Sequence, residues 1–283
     1  MKAEDLIAKV PNLPVPSFSV IRLLDLCARP DADSHAVISI VKHDGMLSAK
    51  LLALCNSAIF GLAVPVGSID QAVFYLGYGQ LHRLIMAINF GAALSPTLPG
   101  YVIEDDGLWR HSLVTAYATE KVLQATSGVD LAPSVAFTTG LIHDIGKVVI
   151  SHALNGHNQQ LLRQIIARGE HSLVEAEREV LGVDHAEIGA CLLRQWRLPD
   201  SIVEGVAHHH TPRTGVGAPL AAIVHVADIM AHEAGAAPGL GSFAIRMDET
   251  AIETLGLGPI EIQNLAVETF ESLDAVKEML TLT

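Results

Sequence analysis

The stretch Gly140-Leu-Ile-His-Asp-Ile-Gly-Lys147 places a histidine and an aspartate side by side among apolar residues. A carboxylate is costly to bury unless a partner compensates its charge. A divalent metal ion held by imidazole and carboxylate groups is a common partner of this kind. His143 and Asp144 therefore mark a candidate site.

Apolar residues recur with helical spacing on both sides of this stretch. In the segment 17–28, for example, Val20, Leu23, Leu24 and Cys27 follow the i, i+3, i+4, i+7 pattern of an amphipathic helix. Asp33 or Ser34 could cap the next helix, which Gly45 would end. Further helices are predicted at 46–57, 69–76, 80–93, 108–126, 133–144, 159–169, 173–181, 185–196, 201–210, 219–233 and 260–279. A short extended segment at 147–150 is the one exception, so the sequence predicts an all-α fold.

The segment Ser95–Gly107 interrupts this helical pattern with prolines, glycines and three acidic residues. Such a composition is typical of a connection between structural units. We therefore predict an N-terminal helical lobe over residues 1–100 and a second helical domain over residues 101–283. Within the second domain, the small residues of Ala234–Gly241 predict a loop.

Composition limits the classes of function. Half of the 283 residues are apolar and only 5% are aromatic, which predicts a core of aliphatic side chains. A formal net charge of −13 argues against general nucleic-acid binding and against anionic membranes. Cys27, Cys55 and Cys191 form no CxxC pair, and we find neither a signal peptide nor a membrane span. We expect a cytoplasmic protein.

Histidines and aspartates on other predicted helices could join the His143-Asp144 pair. The candidate set is His111, His143, Asp144, His185, His209, His210 and Asp228. Such nitrogen and oxygen donors suit Fe, Mn, Zn, Ni or Co. Two close ions can acidify a water molecule and hold a phosphoryl oxygen. Lys147 could then neutralise charge on a phosphate group.

Most of the 14 histidines are expected to lie outside any site, because a lone histidine is more often a surface or core residue than a ligand. This expectation covers His35, His43, His82, His152, His157, His171 and His232. His225 lies one turn before Asp228, and a packing or supporting role is expected for it. His208 cannot point inward together with both of its neighbours in the His208-His209-His210 run.

The order of these residues, with GLIHDIGK at its centre, resembles the HD superfamily of metal-dependent phosphohydrolases. The N-terminal lobe is more specific. Its segments Pro11–Pro14 (PNLP), Leu51–Gly61 (LLALCNSAIFG) and Ser68–Gly77 (SIDQAVFYLG) resemble the HDOD family, the HD-related output domains of bacterial signalling proteins. The HDOD likeness covers roughly residues 6–212, and the HD pattern extends it to Asp228.

This resemblance implies an N-terminal helical lobe packed on an HD-type helical domain. It also implies that the seven candidate residues are metal-ligand positions and that Asp144 bridges two ions. The cofactor would be one or two divalent ions, with Fe or Mn favoured and Zn, Ni, Co or Mg as alternatives. Many HDOD proteins have lost several of these ligands, whereas this chain keeps the whole set.

The chain departs from the cyclic-di-GMP phosphodiesterases of the same superfamily. No GYP signature follows His209-His210, and Gly107 stands where some of those enzymes place a glutamate that binds a third metal. Hydrolysis of cyclic di-GMP is therefore not expected.

Three hypotheses follow. The favoured one is a signalling protein with a retained metal site, which binds a partner protein or a small nucleotide or phosphate ligand. The second is an active metal-dependent phosphohydrolase for a nucleotide or phosphodiester, with Asp144 and Lys147 in the catalytic site. The third is an iron-dependent oxidative enzyme.

Overall fold

The computed structural model describes residues 2–10, 13, 15–29, 34–57, 60, 62, 64–168, 171–212, 218–239 and 247–280. Within these ranges the chain forms helices and no β-strand, apart from one isolated bridge between Leu98 and Ile103. The all-α prediction is therefore confirmed. No helix in the described ranges has both the length and the apolar run needed to span a lipid bilayer.

The helices follow the predicted periodicity closely. In chain order they are α1 (Ala3–Ile7), α2 (Phe18–Cys27), α3 (Ser34–Lys42), α4 (Gly45–Cys55), α5 (Ile69–Leu94), α6 (Gly107–Ala125), α7 (Pro133–Ile142), α8 (Ile145–Ala153), α9 (Gly156–Arg168), α10 (Leu173–Leu181), α11 (His185–Gln195), α12 (Asp200–Ala207), α13 (Ala218–Ala231), α14 (Glu249–Leu255) and α15 (Pro259–Leu280). A 3₁₀ turn at Pro99–Tyr101 precedes α6.

The predicted extended segment at Lys147–Ile150 is wrong, because these residues lie within α8. Their β-branched side chains favour a strand only where a neighbouring strand can pair with them. Here every residue from Ile145 to Ser151 is buried against other helices. A helix that is apolar on all sides is stable when it is enclosed in this way.

Two short helices were not predicted, and one predicted loop is partly helical. The helices α1 and α14 have five and seven residues, too few to show a clear period. The predicted loop Ala234–Gly241 begins inside a π-helical turn at His232–Ala236, which extends α13. Gly235 in this turn has a φ of 82°, a left-handed conformation that glycine adopts without strain.

Some predicted features lie outside the described residues. They are the possible cap Asp33, the residues Pro11, Asn12 and Pro14 of the first family motif, Ala58, Ile59 and Gly61 of the second, and the end of the small-residue loop at Leu240 and Gly241.

The helices α2 to α5 pack on one another, and we refer to these four helices as the N-terminal lobe. Asn56, at the end of α4, holds the segment that leads to α5. Its side-chain amide donates to the Val66 carbonyl oxygen at 2.9 Å and accepts from the Val66 nitrogen at 2.6 Å. Ser68, the residue that caps the start of α5, then accepts a hydrogen bond from the Gln71 nitrogen. These contacts give a physical role to polar residues of the family motifs.

The long helix α5 links this lobe to the second half of the chain. Gly77 (φ 74°, ψ 165°) breaks it into the two predicted segments. In the second segment, the Nε2 atom of His82 donates toward the Ser134 carbonyl oxygen (3.1 Å) and the Thr138 hydroxyl (3.0 Å) on α7. Arg83 forms a 2.7 Å ion pair with Glu120 on α6. The contact between the two halves is therefore specific and polar as well as apolar.

The helix α6 lies at the centre of the second half, where α7, α13 and α15 all pack against it. This explains why His111, in the second turn of α6, has no exposed surface. The helix α15 packs against α6 and also contacts α13, so residues 259–280 belong to the same layer of helices. At the other end of the chain, α1 packs on α8 and α11.

The helices α8 and α11 approach so closely that only glycine fits between them. A Cβ atom on Gly146 would lie 1.9 Å from the His185 carbonyl oxygen and 2.8 Å from the Gly189 nitrogen. This contact brings Asp144 and Lys147, at the start of α8, next to His185, at the start of α11.

Replacement of Gly146 by alanine is expected to lower the free energy of unfolding by about 3 kcal/mol or more, because the backbones of α8 and α11 must separate. The measurement is denaturant unfolding of metal-free protein. Gly79→Ala in α5 is the matched control, since nothing lies within 4 Å of its added Cβ atom. Its effect should stay within about 1 kcal/mol and favour stability. Equal stability of the two variants would contradict the close approach.

Burial lowers the pKa of His82 to about 4, whereas an unfolded histidine has a pKa of about 6.5. The unfolded chain therefore binds this proton first, and acidification from pH 6.5 to pH 4 favours unfolding. We expect wild-type protein to lose about 3 kcal/mol more stability over this range than His82→Gln. Denaturant unfolding of both proteins at several pH values measures the difference. Parallel pH profiles would show that His82 is not neutral and buried.

Candidate metal centre

All seven candidate ligands lie on helices or at helix ends that meet in the second half of the chain. His111 and Asp228 lie within α6 and α13, and His185 is the first residue of α11. His143 and Asp144 form the junction between α7 and α8. The last two, His209 and His210, follow the end of α12.

The carboxylate of Asp144 lies at the centre of this cluster, and its two oxygens face different imidazoles. Oδ1 lies 3.1 Å from the His185 Nε2 atom and 3.9 Å from the His209 Nε2 atom. Oδ2 lies 3.4 Å from the His143 Nε2 atom and 3.7 Å from the His111 Nε2 atom. This is the arrangement that a carboxylate bridging two cations would need.

The remaining two candidates, Asp228 and His210, lie next to the histidines on either side of the Asp144 carboxylate. Asp228 Oδ1 lies 3.0 Å from the His111 Nε2 atom and 3.6 Å from the His143 Nε2 atom. On the other side, the Nε2 atoms of His210 and His185 are 2.8 Å apart. The ligand atoms of Asp144, His185, His209 and His210 all lie within 4.8 Å of one another, and so do those of His111, His143 and Asp144. The structure thus brings all seven predicted residues together.

Hydrogen bonds on the outer side of the rings orient several of these histidines. The Nδ1 atom of His143 donates to the Gly140 carbonyl oxygen at 2.8 Å, and that of His209 donates to the Val206 carbonyl oxygen at 2.7 Å. A carbonyl oxygen only accepts, so Nδ1 carries a proton in each ring. The Nε2 atom is left to face Asp144, which is the usual arrangement of a metal-ligating histidine.

Unpaired polar atoms indicate that a cation fits between these groups. Among the described residues, Asp144 Oδ1, Asp228 Oδ1 and His209 Nε2 are buried and have no hydrogen-bond partner. Each such atom costs about 1–3 kcal/mol when it is left unsatisfied. Divalent ions with nitrogen and oxygen ligands would satisfy these atoms, so the residues present match the chemistry of a transition-metal site.

Burial and the two carboxylates give the imidazoles opposite pKa shifts. Burial lowers the pKa of His111 to about 4 and holds the pKa values of His209 and His210 well below their usual range. Burial also opposes protonation of His143, but the Asp144 and Asp228 carboxylates raise its pKa to about 10. Despite its own burial, the pKa of Asp144 is held well below its usual range by His143 and Lys147. Without a cation, protons on the cluster balance the buried carboxylates.

Lys147 lies on the cluster rather than in solvent. Its Nζ atom is 2.5 Å from Asp144 Oδ2, and its side chain is 5% exposed. Burial opposes its charge, but the Asp144 and Asp228 carboxylates raise its pKa. Lys147 is therefore a buried cation next to the predicted bridging carboxylate.

Sequence reasoning missed one neighbour of the cluster, His232. Its Nδ1 atom lies 2.8 Å from the Asp228 carbonyl oxygen and 3.2 Å from Asp228 Oδ1. Its ligand atom also groups with those of His111 and Asp228. The spacing of four residues from Asp228, one helical turn, was the signal that could have identified it.

Two other histidines lie as the sequence suggested. His208 points away from the cluster and lies 3.3 Å from Glu204. His225 stays outside the ligand set and supports it. Its Nδ1 atom donates to the His209 carbonyl oxygen at 2.8 Å, and its Nε2 atom accepts from the Asp248 nitrogen at 2.9 Å. His225 thus ties the start of α14 to the backbone of a ligand residue.

The second missed group is a buried glutamate, Glu177 of α10. Its Oε2 atom accepts from the Nδ1 atom of His185 at 2.7 Å. Its position in the sequence carried a signal, because Leu173, Ala176 and Leu181 form the buried face of α10 and Glu177 lies on the same face. A charged residue at an apolar helix position requires a buried partner.

Comparison with known proteins agrees with this fold. The sequence profile of the HDOD domain matches residues 13–212. An uncharacterised protein of Treponema pallidum (strain Nichols) is 27% identical over 208 residues, which are 73% of this chain and 38% of that protein. The chain thus spans well under half the length of this relative.

Two solved structures are similar over nearly the whole chain. A Marinobacter aquaeolei VT8 protein, provisionally described as a signal transduction protein, has a TM-score of 0.80 and 22% identity, over 100% of this chain and 61% of that one. A Shewanella amazonensis SB2B protein, provisionally described as a phosphohydrolase, has a TM-score of 0.69 and 27% identity, over 98% and 97% of the two chains. The first likeness shows the fold alone.

The variant Lys147→Met is expected to destabilise metal-free protein by about 3 kcal/mol, since it removes the buried cation beside Asp144. Added Mn²⁺ should stabilise this variant more than wild type, because the ion no longer competes with an ammonium group. Thermal unfolding with chelator and with Mn²⁺ measures both effects. Lys121→Met is the control, because the Lys121–Glu268 pair is exposed and contributes less than about 1 kcal/mol. A variant insensitive to Mn²⁺ would contradict the expected competition.

Proposed function

Because the chain belongs to the HDOD domain family, we propose that it is a bacterial signalling protein that holds two divalent metal ions between its helices. The observation that carries this proposal is the Asp144 carboxylate, which has imidazole nitrogens next to each of its oxygens in a buried cluster. Fe and Mn are the favoured ions, and Zn, Ni, Co and Mg are alternatives.

In this proposal the ligands divide between the two oxygens of Asp144. One ion is held by Asp144, His185, His209 and His210, and the other by Asp144, His111, His143 and Asp228. Bound divalent ions supply Lewis-acid stabilisation of negative charge. The chain's own contribution is to fix the rings through their outer hydrogen bonds, to exclude water, and to place the Lys147 ammonium beside the bridge.

The signalling role rests on the family and on the surface of the N-terminal lobe. Phe18 (74% exposed), Met46 (70%) and Phe74 (83%) expose large apolar side chains there. Such side chains suit contact with a signalling partner protein. A small nucleotide or phosphate ligand is the alternative partner, and a net charge of −13 argues against nucleic acid. A cytoplasmic location is part of this proposal.

A second candidate function is supported by the complete ligand set and by Lys147. Two divalent ions beside a buried ammonium group form a site that could stabilise a phosphoryl transition state. The relative with 27% identity that is provisionally described as a phosphohydrolase agrees with this candidate. The substrate would be a nucleotide or another phosphodiester. An iron-dependent oxidative reaction is the third and less favoured candidate.

Protein purified without chelator is expected to contain one or two divalent ions per chain, measured by elemental analysis. Asp144→Asn should lose them, because the bridging charge is removed. Asp44→Asn is the matched control, since asparagine caps a helix as well as the aspartate that caps α4. Wild-type protein that is metal-free and takes up neither Fe²⁺ nor Mn²⁺ would overturn the metal centre.

The same proteins separate the candidate functions. Turnover of bis-p-nitrophenyl phosphate or of a nucleotide panel that is lost in Asp144→Asn would establish the phosphohydrolase. Oxygen consumption with Fe²⁺ would point to the oxidative enzyme. Loaded protein that is inactive in both assays would leave the signalling role as the function of the metal centre.

A further inference from the structure

A continuous chain of buried hydrogen bonds leads from Tyr101 to the cluster. The Tyr101 hydroxyl donates to Glu177 Oε1 at 2.7 Å. Glu177 Oε2 accepts from both the backbone nitrogen (2.8 Å) and the Nδ1 atom (2.7 Å) of His185. The Nε2 atom of His185 then lies 3.1 Å from Asp144 Oδ1. All four residues are at most 2% exposed.

His185 differs from His143 and His209 in what orients its ring. Those two donate to carbonyl oxygens three residues earlier, in the turn that precedes them. His185 is the first residue of α11, so no preceding turn of its own helix offers a carbonyl oxygen at that position. The acceptor comes instead from α10, and it is a carboxylate.

A carboxylate shares one effect with a carbonyl oxygen and adds a second. Because it only accepts, it fixes the proton on Nδ1 and leaves Nε2 directed at Asp144. Because it is charged, it increases the basicity of the ring and so its strength as a metal ligand.

Tyr101 is the partner that keeps this carboxylate in place. Burial and the Glu177 charge raise the pKa of Tyr101 well above its usual value, so the phenol keeps its proton and donates it. The three donors together satisfy a charge that is 0% exposed. Tyr101 lies in the connection between α5 and α6, so this segment contributes to the support of the cluster.

We propose that Glu177, held by Tyr101, is a positioning residue that sets the orientation and strength of His185 as a metal ligand. The proposal rests on the binuclear centre proposed above and extends it beyond the residues that contact the ions. It acts on one side of the centre, because His185 faces Oδ1 of Asp144 and not Oδ2.

The test compares Glu177→Gln, Tyr101→Phe and wild type by Mn²⁺ titration calorimetry of chelator-treated full-length protein. Glu177→Gln should weaken one of two Mn²⁺ sites roughly 10- to 100-fold and leave the other near its wild-type affinity. Tyr101→Phe should weaken the same site up to about tenfold, with the fold retained. Glu175→Gln is the control, since glutamine also completes the capping box at the start of α10.

A second measurement is independent of metal. In ¹⁵N spectra of metal-free protein, the His185 Nδ1 atom should be protonated and hydrogen-bonded in wild type, and its signal should shift in Glu177→Gln because the charged acceptor is lost. Wild type that binds two ions, with both variants equal to it in affinity, would overturn the role of Glu177 and leave the metal centre standing. Wild type that binds no ion would overturn the metal centre and this inference with it. Should Glu177→Gln fail to fold, Tyr101→Phe and its Mn²⁺ affinity decide the question.

Discussion

The Asp144 carboxylate is 1% exposed, so the protein must replace the water that would otherwise solvate it. Lys147 supplies one full charge, and imidazoles from α6, the α7–α8 junction, α11 and the end of α12 surround the rest. Each of these elements must be in place for the charge to be compensated. The Asp144 carboxylate can therefore be buried only when the helices of the second half of the chain are packed together.

Backbone geometry allows the helices to pack closely around the Asp144 carboxylate. The two helices that carry Asp144 and His185 can approach only because Gly146 has no side chain. The rings, in turn, are held from outside the cluster by carbonyl oxygens, by Glu177 and, through the backbone of His209, by His225. Such outer contacts are what allow ligand groups to keep one geometry before an ion arrives.

Much of this could be predicted from the sequence. The period of apolar residues located most helices to within a few residues, and the order of His and Asp residues together with the family resemblance identified seven residues that meet in the structure. The residues and helices that were missed have separate physical causes. Helices α1 and α14 are too short to show a period. The β-branched segment at Lys147–Ile150 is helical because tertiary burial overrides local preference. Glu177 contacts His185 on a different helix, and the sequence alone cannot place that contact. His232 contacts Asp228 one helical turn away, so its spacing did carry a signal.

The contacts of α1 have a mechanical consequence for the N-terminal lobe. This short helix packs on α8 and α11, while α5 at the other end of the lobe packs on α6, α7 and α8. The lobe is thus tethered at both of its ends, unlike a unit that hangs from one linker. A segment held in this way has little freedom to rotate independently. A force applied to the lobe would therefore reach α6, α7, α8 and α11, the helices that carry or adjoin four of the seven candidate ligands.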